Sequence, residues 1–480
     1  LKLQSRSRDS IFDFNINFDE LITRAETPSH YFHHFRLKSL TGDNKSKLLV
    51  QWDEAQNEAL KGELISLIEL DRNKKTGNLR TNVFLLPGEV NISNQIWHLA
   101  QSSVIIDSTS YNFNDVSFYH QDQRMFVNGI ISKHPSDTLS VDFSRLHIDY
   151  ANVLFPKNNL WFKGTINGTA QVSNLYQKPS FQSDLTIDTL FVNDQKIGNT
   201  RIHSRWNNDQ ERIALKVESQ RGTLKTIDMA GFYKPDNQNI DFSATLDKLR
   251  MAALNPILQK SFSDFNGAVS GQLKISGTAG HPVFNGRLSA QKTSFTIDYL
   301  KTQYHLSHIL DVSNNALLFQ DVMVNDNQGN SANVNGRIQF HTLKDIDYSF
   351  IIDASELRGL NTNGLENTIY YGNAFASGLV NIEGNTQTKN LNIDASLTTA
   401  ENTRINLPVG ERGKSQKTRF ITFVGDTQPE AGEDEPIRSY QPKLSGLTMN
   451  FDLEVTPQAR IRLIFDPELR DIIEARGRGN

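Results

Sequence analysis

A chain of 480 residues, 37% hydrophobic and 22% charged with 28 phenylalanines, can form two to four compact domains or one long repeat array, and is too aromatic for disorder. A net charge of −4 supplies no field for counterion release from a polyanion, which excludes nucleic acid as an expected partner. Cysteine is absent, which excludes zinc ribbons, iron–sulfur clusters, thiol nucleophiles and disulfides and fits an oxidising compartment.

The chain begins at Leu1 with no signal peptide and no apolar run long enough to cross a bilayer, so it is expected to be an internal or processed piece of a longer protein. "HYFHHF" (30–35) carries His30, His33 and His34 at spacings that can ligate a metal. With no supporting carboxylate pattern they read first as strand residues, so no metal and no cofactor is expected. From there apolar and polar residues alternate along most of the chain, the period of two of a strand that buries one face. Leu139, Val141 and Phe143 form one apolar row, with Asp142 and Ser144 facing water.

"FVNGIISKHPSDTLSVDFSRLHIDY" (126–150) is echoed by "MAGFYKPDNQNIDFSATLDKL" from Met229 and "VNGRIQFHTLKDIDYSFIIDASEL" from Val334. Gly129, Gly231 and Gly336, spaced by 102 and 105 residues, are read as turn glycines of one repeated unit. A second unit recurs with "GTAQVSNLYQKPSFQSDLT" from Gly168, "GQLKISGTAGHPVFNGRLS" from Gly271 and "GLVNIEGNTQTKNLNIDAS" from Gly378. Asn167-Gly168-Thr169 fits a glycosylation sequon but is read as the repeat's turn. Turns are also expected at "KPDNQN" (234–239) and "NDNQGNS" (325–331). One short helix, over 250–262 with Leu254, Ile257 and Leu258 on one face, is expected as a connector against the sheet.

Further on, Ile346, Tyr348, Phe350 and Ile352 form a second apolar row, and Leu447, Met449, Phe451, Leu453 and Val455 a third, continued by Ile461 and Leu463. Between them, 411–440 reads as a loop excursion with one short strand, "TRFITFV" (418–424). Asp466, Glu468 and Asp471 of "DPELRD" read as a turn before an acid–base pair or a calcium site. Arg476 and Arg478, between glycines, read as a solvated turn before a phosphate contact.

Strands apolar on one face, added without linkers at a repeat of about 105 residues, can close as a sandwich or curl into a trough. Strands buried on both faces would read as continuous apolar runs, and these are nearly missing. The expected fold is therefore all-β: an elongated, curved antiparallel β-sheet forming an open apolar groove over 1–410, with few short helices. Such a groove suits acyl chains. Exposing a chain of about sixteen carbons to water costs on the order of 12 kcal/mol, most of which an apolar slot removes. The apolar rows above are the expected lining, and no catalysis is expected.

The units "VNGRIQ…IDYSFIIDASELRGLN", "GQLKISGTAGHPVFNGRL" and "NISNQIWHLAQSSVIIDSTSYNFNDVSF" (91–118), with the ending "LEVTPQARIRLIFDPELRDIIEARGRGN" (453–480), resemble TamB of the AsmA-like group of bridge-type lipid transfer proteins, in its Bacteroidetes version. The resemblance implies a periplasmic "β-taco" in a Gram-negative bacterium, anchored in the inner membrane by an N-terminal helix. It implies docking of the C-terminal end on a TamA-like outer-membrane barrel, with 441–480 as the truncated start of a C-terminal β-module. It further implies outer-membrane biogenesis, through phospholipid transport or through assembly of outer-membrane and autotransporter proteins. A scaffold or chaperone pairing client strands at sheet edges is the alternative. A solenoid polysaccharide enzyme is disfavoured, because parallel β-helices repeat over shorter periods and no paired carboxylates recur.

Overall fold

The structure, a computed structural model, describes residues 2–8, 11–23, 30–54, 60–72, 77–92, 94–150, 152, 161–176, 179–255, 262–342, 345–409, 446–466 and 471–479. The all-β expectation holds, since thirty strands among the described residues hydrogen-bond into one sheet. In chain order they are β1 (Lys2–Arg8), β2 (Ile11–Thr23), β3 (His30–Gly42), β4 (Lys45–Glu54), β5 (Leu60–Arg72), β6 (Leu79–Leu85), β7 (Gly88–Ile92), β8 (Gln95–Leu99), β9 (Ser102–Asp107), β10 (Ser110–His120), β11 (Gln123–Ser132), β12 (Thr138–His147), β13 (Phe162–Ser173), β14 (Ser180–Val192) and β15 (Gln195–Asn207). There follow β16 (Arg212–Arg221), β17 (Leu224–Lys234), β18 (Asn239–Arg250), β19 (Phe262–Thr278), β20 (His281–Ile297), β21 (Thr302–Ser313), β22 (Ala316–Asp326), β23 (Ser331–Phe340), β24 (Ile346–Thr362), β25 (Tyr371–Asn385), β26 (Asn390–Thr399), β27 (Arg404–Pro408), β28 (Leu447–Glu454), β29 (Arg460–Asp466) and β30 (Asp471–Ala475). Residues 1–257 with 269–284 form one compact unit, and 258–268 with 285–480 a second.

The expected turns at 234–239 and 325–331 join β17 to β18 and β22 to β23. The expected helix at 250–262 is represented by a 3-10 turn, Met251–Leu254, with Asn255 still helical; 256–261 lie outside the described residues, and β19 begins at Phe262. The excursion at 411–440 also lies outside them.

Gly129, Gly231 and Gly336 are not turn glycines but lie inside β11, β17 and β23. The repeat is nevertheless in phase with the fold, because these strands, like β13, β19 and β25 with Gly168, Gly271 and Gly378, stand six strands apart. Asn-Gly invites a turn assignment, yet here it serves a line of β-bulges. Arg145, Thr189, Lys248, Lys292, Asp321 and Glu356, one on each of six even-numbered strands, take left-handed backbone conformations with φ between 48° and 52°. The ladder shifts register beside Arg145, Thr189, Lys292, Asp321 and Glu356. Such a residue turns its N–H out of the ladder. Each finds an acceptor on the following strand: Arg145 donates to Asn167 Oδ1 (2.8 Å), Thr189 to Asn199 Oδ1 (3.0 Å), Lys248 to Ser270 Oγ (2.9 Å), Lys292 to Ser307 Oγ (2.9 Å), Asp321 to Asn335 Oδ1 (2.8 Å) and Glu356 to Ser377 Oγ (2.8 Å). In four of these pairs glycine follows the acceptor; at Gly168, with φ of 126°, a Cβ would run into the Asp184 carbonyl. The sequon asparagine is thus mid-strand, with its carboxamide occupied by Arg145 and Asp188.

Two strand pairs are instead broken. β6 and β7, separated by Leu86 and Pro87, both pair with β5; β26 and β27, separated by 400–403, both pair with β25. Bulges bend strands and increase their twist, and within each unit the core collects along this seam. Leu99, Val116, Ile187, Thr200, Ser219 and Thr226 mark it in the first unit, and Val322, Val324, Leu360, Phe375 and Thr403 in the second, all under 10% exposed. The buried hydroxyls are satisfied across strands, as in Thr200 Oγ1 to Ser219 Oγ (2.8 Å) and Thr226 Oγ1 to the Ile197 carbonyl (2.9 Å).

The expected antiparallel sheet is mixed in the second unit. β28 runs parallel to β26 and β29 parallel to β27, both at a constant offset of 56 residues, as in Leu391 with Leu447 and Arg404 with Arg460. Parallel neighbours need a long crossover, and the stretch read as a loop excursion occupies that place in the chain.

Asp326, 4% exposed, ends β22. Its carboxylate accepts from the backbone N–H of Gln328 (2.8 Å), Asn330 (3.0 Å) and Arg358 (3.1 Å), and from Asn330 Nδ2 (3.0 Å). Burial pushes its pKa up, but these hydrogen bonds outweigh burial and hold it below the ordinary carboxylate value. A depressed folded pKa contributes stability that is complete above the unfolded value and disappears as pH falls through the folded one. Asp326→Ala is expected to cost about 2–3 kcal/mol at pH 7 by leaving these donors unpaired. The urea midpoints of variant and parent should converge as pH falls from 6 to 3; a gap that does not narrow would contradict this account.

Candidate functional site

Antiparallel partners carry side chains on the same face, so the register defines rows running from strand to strand. In the first unit Phe143 belongs to the row Leu99, Phe118, Met125, Phe143, Gly168, Leu185, Ile202, Val217, Met229 and Ala244, one residue from each of ten strands and none polar. Val141 lies between Val127 and Ala170, in a row that continues through Ser183 and Ser204 to Leu215 and Phe242. Leu139 lies between Gly129 and Val172, and the outermost row also holds Trp206, Ile213, Tyr233 and Ile240. The opposite face carries Asp142, Thr169, Asp184, His203 and Lys216 in register.

Leu139, Val141 and Phe143 are half-buried, as are Tyr348, Phe350 and Ile352. A closed sandwich would bury such rows fully. In these units Leu99, Phe242, Ala244 and Ala395 are fully buried members of the apolar rows, while Leu139, Val141, Phe143, Tyr348, Phe350 and Ile352 keep part of their surface in water.

In the second unit, register brings two of the expected rows together. Tyr348 connects through Gly384 and Leu391 to Leu447, Phe350 through Ile382 and Ile393 to Met449, and Ile352 through Val380 and Ala395 to Phe451. Leu453 joins Ala354 through Leu397 and Gly378, and Ile346 pairs with Phe340 at the start of β24. Phe350 meets Phe319 edge to face at 5.2 Å between ring centres. Met449 and Phe451 are 42% and 56% exposed, so the apolar face is most open on β28.

Three expected lining residues do not join these rows. Val455 forms only an isolated bridge with Gly479 at the break between β28 and β29. Ile461 and Leu463 lie beyond that break on β29, in register with Ile405 and Leu407 and with Ala475 and Ile473. The sequence row ignored the break because strand breaks leave the alternation on either side intact. Members that were missed, such as Met125, Leu185, Val217 and Ile382, stand on strands whose alternation was legible but was not joined into rows.

His30, His33 and His34 lie in β3, and among the described residues no group of three or more His, Asp or Glu side chains is placed to hold a metal. Asp466 and Asp471 pair across the β29–β30 hairpin, and Glu468 lies outside the described residues. Arg476 pairs with Glu474 at 3.5 Å and Arg478 with Glu454 at 3.1 Å. Trp97, in the stretch of strongest resemblance, is 3% exposed and packs edge to face on Tyr150 at 5.3 Å.

Residues 320–480, from within β22 onward, match the family model of the TamB C-terminal domain. The chain is consistent with a TamB family protein. The TamB match begins well ahead of residue 441, where the sequence alone put the start of the C-terminal module, and takes in the rows of Tyr348, Phe350 and Ile352. It supports a TamB-family role in outer-membrane assembly and points to a Gram-negative envelope. No curated protein and no solved structure matches the chain. Among the described residues no helix is long and apolar enough to cross a membrane.

Proposed function

We propose that this chain is a non-enzymatic lipid conduit of the periplasm, in which phospholipid acyl chains lie along the apolar rows during outer-membrane biogenesis. The observation that carries the proposal is the pair of largely half-buried apolar faces, each built of rows that take one residue from every strand and repeat strand after strand. A chain of about sixteen carbons gains on the order of 12 kcal/mol on leaving water, and rows of this kind offer many near-equivalent positions, which favours sliding over tight capture. An inner-membrane anchor and a TamA-like barrel as the outer-membrane partner complete the proposal, on the family likeness.

A photo-reactive side chain at Val141, Phe143 or Phe350 should capture lipid from envelope extracts, and the same probe at Asp142 on the other face should not. Equal capture on both faces would sink the conduit.

One observation favours a second reading. Among the described residues β28 pairs on one side only, with β26, and such an edge can add a client strand. In that case probes on the β28 edge would capture polypeptide while the groove probes capture no lipid.

A further inference from the structure

At one rim of the first unit, the strands that carry the outermost apolar row present a different surface on their other side. Ile213, Tyr233 and Ile240 face the groove on β16, β17 and β18. Alternation turns their neighbours Arg212, Lys234 and Asn239 to the opposite face. These residues, with Gln210, Phe232, Asn237, Asp241 and Gly277, line a pocket of about 550 Å³ that Ile240 also borders, so the pocket reaches the edge of the groove row itself. The turns 208–211 and 235–238 form the rim itself, so Arg212 and Lys234 lie about one residue, ~3.3 Å, along the strand from the last apolar row.

The chemistry of the pocket is cationic. Arg212 is half-buried, with its guanidinium 4.0 Å from the centre of the Phe232 ring, which fixes the plane of a group suited to a bidentate oxyanion contact. Among the described residues neither Arg212 nor Lys234 forms an ion pair or a side-chain hydrogen bond. Asp241, the one carboxylate among the lining residues, is taken by Lys274. Nearby on β16 and β17, by contrast, Lys216 and Lys225 are neutralised by Glu218. Two uncompensated cations, a carboxamide cluster and an oriented guanidinium around one cavity make a site for a phosphate ester.

We propose that Arg212 and Lys234 bind the phosphate of a lipid headgroup whose acyl chains lie on the groove face of the same strands, so that this rim selects phosphate-bearing lipids over lipids without a phosphate. The inference rests on the conduit proposed above. The chains occupy the side of Ile213, Tyr233 and Ile240, and the headgroup folds over the rim.

The test compares the full chain with the double variant R212Q/K234Q, which keeps side-chain length and removes both charges. Native mass spectrometry is run with dilauroyl phosphatidylglycerol, with dilauroylglycerol, which has the same chains and no phosphate, and with inorganic phosphate alone. The expected result is that the parent prefers phosphatidylglycerol over dilauroylglycerol by about tenfold, the worth of one charge-assisted hydrogen bond or two weak ones. The variant loses that preference and binds dilauroylglycerol as the parent does. A preference unchanged in the variant overturns the headgroup site and leaves the conduit standing. Phosphate binding that the variant abolishes, with no discrimination between the two lipids, overturns the headgroup assignment in favour of a free-phosphate site. If dilauroylglycerol does not bind the parent either, the conduit itself fails and the inference with it. A circular dichroism spectrum identical to the parent's checks that the variant is folded, and Lys225→Gln, on β17 away from the pocket, should change nothing in either lipid.

Discussion

Phe350→Asp is expected to leave the sheet folded and to weaken lipid binding in the second unit by about 100-fold, because an acyl chain along that row would have to desolvate a carboxylate. Phe350 is half-buried in the middle of β24, between Gly336 and Ile382, with Phe319 against its ring. An aspartate there can still reach water, so folding loses only part of one aromatic contact, about 1–2 kcal/mol. The control is its neighbour Ile351, which is 53% exposed on the other face between Asn335 and Asn381. Ile351→Asp should bind lipid as the parent does. Lipid occupancy by native mass spectrometry, with circular dichroism to verify folding, separates the two. Equal loss in both variants, or loss in neither, would show that the row of Phe350 is not a lipid path.

Gly168→Val is expected to destabilise the first unit by about 3–5 kcal/mol, from an unfavourable φ and a collision that the backbone cannot yield to cheaply. Gly168 has φ of 126°, and a Cβ there would meet the carbonyl of Asp184 on β14. Asn167→Ala beside it should cost about 1–2 kcal/mol, since it leaves the Arg145 N–H without its acceptor at 2.8 Å. Gly222, in the β16–β17 turn with φ of 63° and open space around its Cβ position, is the counterpart. Its change to alanine should cost about 1 kcal/mol, the left-handed penalty alone. Urea midpoints measure all three, and amide exchange along β12 to β14 should accelerate in the first two only. If Gly168→Val were no worse than Gly222→Ala, the bulge seam would not be what holds the bend.

These two variants also divide what was legible in the sequence from what was not. Alternation placed Leu139, Val141 and Phe143 on one face and Asp142 on the other, and the same rule placed Tyr348, Phe350 and Ile352. The turn chemistry of 234–239 and 325–331 was equally local. Asn-Gly misled because its local meaning, a tight turn, was overridden by a partner strand. Arg145 holds a left-handed backbone only because Asn167, 22 residues away, accepts its N–H. Val455, Ile461 and Leu463 lie at or beyond a strand break that was not legible, since nothing in the alternation records that a strand stops and restarts.

The sequence by itself determined the strand content, the relative facing of residues within an alternating row and the recurrence of about 105 residues, because a period of two and turn propensity act within a few residues of chain. Only the tertiary structure decided that this recurrence spans six strands, that bulges and breaks gather along a seam within each unit, and that β28 and β29 run parallel to β26 and β27. Each of those depends on hydrogen bonds between strands tens of residues apart, and neither composition nor periodicity carries the identity of a distant partner.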